Sequence, residues 1–188
     1  AVQINAGEDK AVNLEKAERL IRQAAASGAR LVVLPENAFY VGTGKPEQIS
    51  ESMDGPYATQ MSRLAKELGI WLHAGSFAES NGTPRPYNTT LLFGPDGKCK
   101  GVYRKIHMFD VTLANGPSSR ESDRKTPGKE VVGVTTELGK VGLTTCYDMR
   151  FPELYRRLAI EGSEVFICCA CFTMNTGKDH WMPLLRAR

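Results

Sequence analysis

Residues 141–153 read VGLTTCYDMRFPE. An apolar, β-branched run ends at Cys146, a polar turn follows, and Pro152 opens a helix. The run has strand length, with Gly139-Lys140 before it and a polar break after it, which is the pattern of a buried strand. Proline suits the first turn of a helix because its missing N–H has no intrahelical partner there, and Leu154, Leu158 and Ala159 supply an apolar stripe behind it. The order strand, cysteine, tight turn, helix sets a thiol on a corner, with backbone N–H groups of the turn facing whatever the sulfur attacks. A lone cysteine is usually a small buried hydrophobe. One lying between TT and YD, at the lip of a polar turn, fills no gap in a core, so a catalytic role weighs about equally.

Outward from this stretch, residues 131–135 and 140–145 read as a hairpin turned by Glu137-Leu138-Gly139, and residues 164–169 as the next strand. A loop with Asn175 and Gly177 and a helix over about 180–188 come last. Toward the N-terminus, AVQIN has strand character, and the spacing of Leu14, Ala17, Ile21, Ala24 and Ala25 predicts a helix over 12–27 that stops at Gly28. LVVL at 31–34 is the pattern of a strand buried on both faces; Pro35 ends it just before Glu36. Residues 41–57 read as a surface loop, 59–68 as a helix, and 70–77, 89–93 and 99–104 as strands joined without helices, an antiparallel meander. The polar segment 110–129, with Gly116-Pro117 and Pro127-Gly128, is long for a simple connection and is a candidate active-site loop carrying Glu121. The sum is an α/β chain, helices packed on mixed sheet.

Composition narrows the function. At 188 residues and 41% hydrophobic content the chain reads as a single domain over 1–188. Lys plus Arg 24 against Asp plus Glu 21 gives +3, too mild and dispersed to argue for nucleic acid or an anionic membrane. No apolar run approaches the roughly 18 residues of a membrane span, so a cytoplasmic protein is the expectation. Five cysteines, three of them crowded in FICCAC, are no disulfide framework. Cys168 and Cys171 stand three apart on a strand, facing opposite sides, so core packing rather than a metal site is expected. The chain opens inside structure without Met, so residues are expected upstream.

Two further strand ends carry reactive groups, Glu36 and Lys105. Alone, each has an ordinary use, as a salt bridge or as a solvated cation. Together with Cys146 they make a complete set. A thiol needs a base to become a nucleophile, the attacked carbonyl needs positive charge or N–H donors, and the leaving amine needs a proton. Glu36 would move the protons, and Lys105 with the N–H of Tyr147 would hold the oxyanion. A competing arrangement takes His107 or His180 as the base.

The motifs LVVLPE (31–36), YRKIHMFD (103–110) and GLTTCYDMRFPEL (142–154) resemble those of the nitrilase, or carbon-nitrogen hydrolase, superfamily. Tyr87-Asn88-Thr89, Arg120-Glu121-Ser122, Pro127-Gly128, His180-Trp181 and Leu185-Arg186-Ala187-Arg188 support the match, which runs the length of the chain. The resemblance implies a four-layer αββα sandwich, no metal or organic cofactor, and assembly as a homodimer or larger homo-oligomer. It assigns Glu36, Lys105 and Cys146 as the catalytic triad, Glu121 as a second glutamate positioning substrate or Lys105, and Tyr147, Phe172 and Thr173 to the substrate pocket. Tyr87 and Asn88 are expected to be structural, and Arg150 to form an ion pair with Asp148 or Glu153. CYDMRFPEL and RESDRKTPG look most like the Nit branch, amidases of deaminated glutathione and ω-amidases of α-keto acid amides, the first more closely. Nitrile or N-carbamoyl hydrolysis, and a non-catalytic interaction protein on the same fold, are the alternatives. Family members continue past LLRAR, so the sandwich is expected to be incomplete at the C-terminus.

Overall fold

Asp9 starts the first helix by accepting the Val12 N–H on its side chain (3.0 Å), and the helix, α1 (Lys10–Ala26), turns Ala17 and Ile21 inward. β1 (Leu31–Val33), the short α2 (Pro46–Ile49) and α3 (Pro56–Leu68) follow, α3 ending at Gly69 in the left-handed region. β2 (Trp71–Glu79), β3 (Tyr87–Phe93) and β4 (Cys99–Arg104) form the expected antiparallel meander. With β1 parallel to β2 they make a sheet of order β1-β2-β3-β4. β5 (Asp110–Val111) and β6 (Ser119–Arg120) form a small ribbon. β7 (Gly133–Thr136) and β8 (Gly139–Thr145) are the hairpin that delivers Cys146; α4 (Pro152–Ile160) leads to β9 (Val165–Cys169), parallel to β8, and α5 (Met174–Ala187) follows. This computed structural model describes residues 1–112 and 118–188, so Gly116-Pro117 lies outside the described residues.

The layers follow from which faces are apolar. One core joins α1 and α3 to the first sheet through Ala17, Ile21, Met61, Leu64, Leu72 and Leu91. A second core joins the other face of that sheet, through Trp71, Leu92 and Tyr103, to Val141 and Leu143 of β8 and to Leu158 of α4. A Cβ at Gly101 would lie 2.5 Å from Val134 Cγ2, so a residue without one lets the two sheets close on each other. Helix, sheet, sheet and helix therefore stack as the αββα sandwich. Each large aliphatic side chain buried between layers contributes about 1.5–3 kcal/mol.

Several local expectations change. AVQIN is not a regular strand; it runs beside β1, with the Val2 N–H donating to Val33 O (2.9 Å). β1 is an edge strand, half-buried at Leu31 and Val33 rather than buried on both faces, because periodicity cannot say what lies beside a strand. The loop at 41–57 contains α2 and the first turn of α3. Residues 146–150 form a 3₁₀ turn before α4. The last helix begins at Met174 and takes in Asn175, Gly177 and Pro183; it has no buried residue and meets the second core through the partly buried Trp181 and Leu184.

Candidate active site

Glu36, Lys105 and Cys146 each stand just past the end of a strand, and the two sheets bring those ends to one corner. Glu36 is placed by a bulge in β2: Gly75 has φ +61°, and a Cβ there would meet Pro35 O at 2.1 Å. Without one, Leu34 N–H bonds to His73 O (3.0 Å) and Ser76 N–H to Pro35 O (3.2 Å), fixing the backbone around Glu36. Lys105 leaves β4 with its N–H on Asn88 O (2.9 Å). Cys146 leaves β8 with φ +49°, a left-handed conformation that is unfavourable for a side-chain-bearing residue and marks a corner held by its surroundings.

What holds that corner is Asp148, fully buried in the 3₁₀ turn. It accepts the Thr145 N–H (2.8 Å), the Tyr103 hydroxyl (2.6 Å) and the His107 N–H (3.0 Å), and its Oδ1 lies 2.7 Å from His107 Nδ1. Arg150 pairs with neither Asp148 nor Glu153, contrary to expectation. Asp148 is already taken, and the Arg150 guanidinium lies over the rings of Tyr147 and Phe172 with Nη2 3.1 Å from His180 Nδ1.

The three groups meet. Glu36 Oε1 accepts from Lys105 Nζ (3.0 Å) and Asn88 Nδ2 (2.9 Å), Oε2 accepts from the Cys171 N–H (3.0 Å), and the Cys146 thiol lies near enough to the same carboxylate to feel its charge. Glu36 and Lys105 are only 6% and 2% exposed, so the pair is desolvated and its geometry is held from several sides. Lys105 also donates to Glu121 Oε2 (2.8 Å), which accepts the Phe109 N–H as well (2.7 Å). Burial opposes the charge on Lys105, but Glu36 and Glu121 outweigh it and hold the ammonium well above the usual lysine range. Burial and the neighbouring Glu36 charge push the Cys146 thiol well up, with Lys105 opposing. The resting sulfur is therefore a thiol, beside a carboxylate that can take its proton.

One cavity of about 590 Å³ is lined by Glu36, Lys105, Cys146 and Glu121, and also by Tyr147, Phe172 and Thr173. Every site residue expected from the sequence thus faces the same space. Tyr147 packs edge-on against Phe109 and Phe151 (5.2 and 5.6 Å), and Phe172 against Trp181 (5.0 Å), which makes one side of the cavity an aromatic wall. No histidine lines it: His107 is stacked on Phe151 (3.7 Å), His180 sits at Arg150, and His73 is fully buried. Sequence reasoning missed Asn88, whose amide orients Glu36; a buried polar residue within the apolar strand YNTTLLF was the available signal. It also missed Asp148 as the organiser of the turn and the Cys171 N–H as a donor to Glu36, for which spacing offers no sign.

The carbon-nitrogen hydrolase family profile matches residues 1–188. Omega-amidase NIT2 of Danio rerio is 40% identical over 189 residues, covering 100% of this chain and 68% of that protein. A deaminated glutathione amidase of Yersinia enterocolitica is 38% identical, covering 100% of this chain and 67% of its own. The crystal structure of the C. elegans NitFhit protein superposes with a TM-score of 0.90 at 31% identity, over 98% of this chain and 46% of that one. The chain spans 59 to 68% of the length of curated relatives such as these.

Proposed function

The chain belongs to the carbon-nitrogen hydrolase family, and from that premise we propose that it is an amidase whose triad is Glu36, Lys105 and Cys146. Its substrate is a small amide, deaminated glutathione or the ω-amide of an α-keto acid, and its products are a carboxylate and the leaving amine, which is cysteinylglycine from the first and ammonia from the second. The observation that carries this reading is the Glu36 carboxylate, which accepts from Lys105 Nζ at 3.0 Å and lines, together with Lys105 and Cys146, one cavity large enough for a substrate.

In the proposed reaction Glu36 takes the thiol proton as sulfur attacks the amide carbon. Lys105 Nζ and the Tyr147 N–H, near the start of the 3₁₀ turn, stabilise the oxyanion. Collapse breaks the C–N bond; Glu36 returns its proton to the leaving nitrogen, and ammonia or the dipeptide amine departs from a thioester on Cys146. Glu36 then takes a proton from water, the resulting nucleophile attacks the thioester, and the proton goes back to sulfur as the carboxylic acid leaves. Glu121, at Lys105, and Phe172 and Thr173, on the cavity wall, complete the proposed substrate site.

The proposal includes one domain over residues 1–188, a cytoplasmic setting that keeps the thiol reduced, and a homodimer or larger assembly of the full-length protein. Among the described residues no helix is long and apolar enough to cross a membrane. The test is hydrolysis by the full-length protein of deaminated glutathione, read as released cysteinylglycine, and of α-ketoglutaramate and simple nitriles, read as released ammonia, beside Cys146→Ala. Turnover of an amide that Cys146→Ala abolishes is the expected result. Success on a nitrile alone would replace the amidase with a nitrilase, and failure on every compound would favour a non-catalytic protein on this fold.

A further inference from the structure

Four residues beyond Glu121 the chain turns back into the cavity with Lys125, whose N–H donates to Glu121 O (2.8 Å). Lys125 is half-buried and lines the same space as Cys146. Among the described residues its ammonium makes no hydrogen bond or ion pair, and the nearby acids are engaged elsewhere. Glu121 Oε2 serves Lys105 and the Phe109 N–H, while Glu36 serves Lys105, Asn88 and Cys171. Burial pulls the Lys125 pKa down to about 8; Glu121 and Glu36 oppose this, and Arg124 and Lys105 reinforce it. A cation partly stripped of water and left without a counter-ion raises the energy of the empty site, and a ligand that brings an anion to it recovers that cost. The cavity, about 590 Å³, has room for a substrate body well beyond the scissile amide.

We propose that Lys125 determines specificity in this site by binding the carboxylate at the far end of an ω-amide whose amide end lies against Cys146. The inference rests on the amidase reading and deepens it, assigning the residue of the cavity that selects for the far carboxylate of such an amide. A different role, in which Lys125 only offsets the surplus negative charge of Glu36, Glu121 and Lys105, makes a contrary prediction. Its loss would then disturb Cys146 and Glu36 to the same degree for every amide.

The test compares succinamate with 4-methylpentanamide, which replaces the carboxylate by an isopropyl group of like shape. In Lys125→Met of the full-length protein, the ratio of kcat/KM for succinamate over the neutral amide should fall about tenfold or more, mainly through the KM for succinamate. Lys125→Arg should restore most of it. An unchanged ratio, with both amides falling together or neither falling, overturns the proposal. Calorimetric binding of succinamate to Cys146→Ala, with and without Lys125→Met, separates this inference from the amidase reading because it needs no turnover. Binding weaker by about tenfold in the double variant supports the carboxylate subsite, and equal binding, or none to either protein, overturns it.

Discussion

Replacing Glu36 by Gln tests the chemistry with little change in shape. The carboxylate has no idle oxygen: Oε1 accepts from Lys105 and Asn88, and Oε2 from the Cys171 N–H. A glutamine offers one oxygen and one donor. With its oxygen toward Lys105 and Asn88, its NH₂ opposes the Cys171 N–H; turned over, it opposes an ammonium and an amide, which is worse. The first orientation leaves one donor facing another, at a cost of about 1–3 kcal/mol. For a chain of this size that lowers Tm by roughly 2–10 °C and leaves the fold in place. The chemical loss is larger, because the same group serves the thiol, the leaving amine and the hydrolytic water, and acid-base catalysis at even one of these is typically worth about 10²–10⁴. Steady-state ammonia release should therefore show kcat down by on the order of 10³ or more. A Glu36→Gln enzyme with kcat within about tenfold of wild type would refute the reasoning and transfer the base to a histidine. The structure gives that outcome little support, since His107 is held by Asp148 and stacked on Phe151, away from the cavity lining.

Asn88→Ala removes one of the donors that aim Glu36, so kcat should fall about tenfold with KM little changed, and equal changes in both would point to a binding role instead. Asp148→Ala strands the buried Tyr103 hydroxyl and Thr145 N–H, which should cost about 2–5 kcal/mol and lower Tm by roughly 10 °C; a shift below about 2 °C would show that the turn is held otherwise. The Cys146 thiol is raised by burial and by Glu36, so its thiolate is scarce at neutral pH. Alkylation by iodoacetamide should therefore climb only at pH above the ordinary cysteine range, and in Glu36→Gln, without that negative neighbour, it should begin at lower pH. A wild-type midpoint at or below about 8.5, the value of a free thiol, would contradict this.

What could be read from the residues in order was whatever depends on neighbours along the chain. The strand into Cys146, Pro152 at the first turn of α4, the antiparallel meander, and the exit positions of Glu36 and Lys105 all follow from periodicity and from proline and glycine chemistry. The LVVLPE, YRKIHMFD and GLTTCYDMRFPEL motifs added the likeness to a family, and with it the expectation that three distant residues meet. Contacts across the sandwich were not legible in this way. Asn88 looked like scaffolding because its partner, Glu36, is 52 positions away, and Arg150 was matched to acids near it in sequence when its neighbours in space are two aromatic rings and His180. β1 read as buried on both faces, although Leu31 and Val33 are only half-buried, because how well a face is covered depends on what packs across it. Lys125 carried no signal at all: a lysine in a polar loop is ordinarily solvated, and its partial burial without a counter-ion comes from how the loop folds over the cavity. Spacing along a polymer sets which way a side chain points from its own helix or strand. Which groups then share a desolvated corner, and which of them is left without a partner, depends on how the layers close.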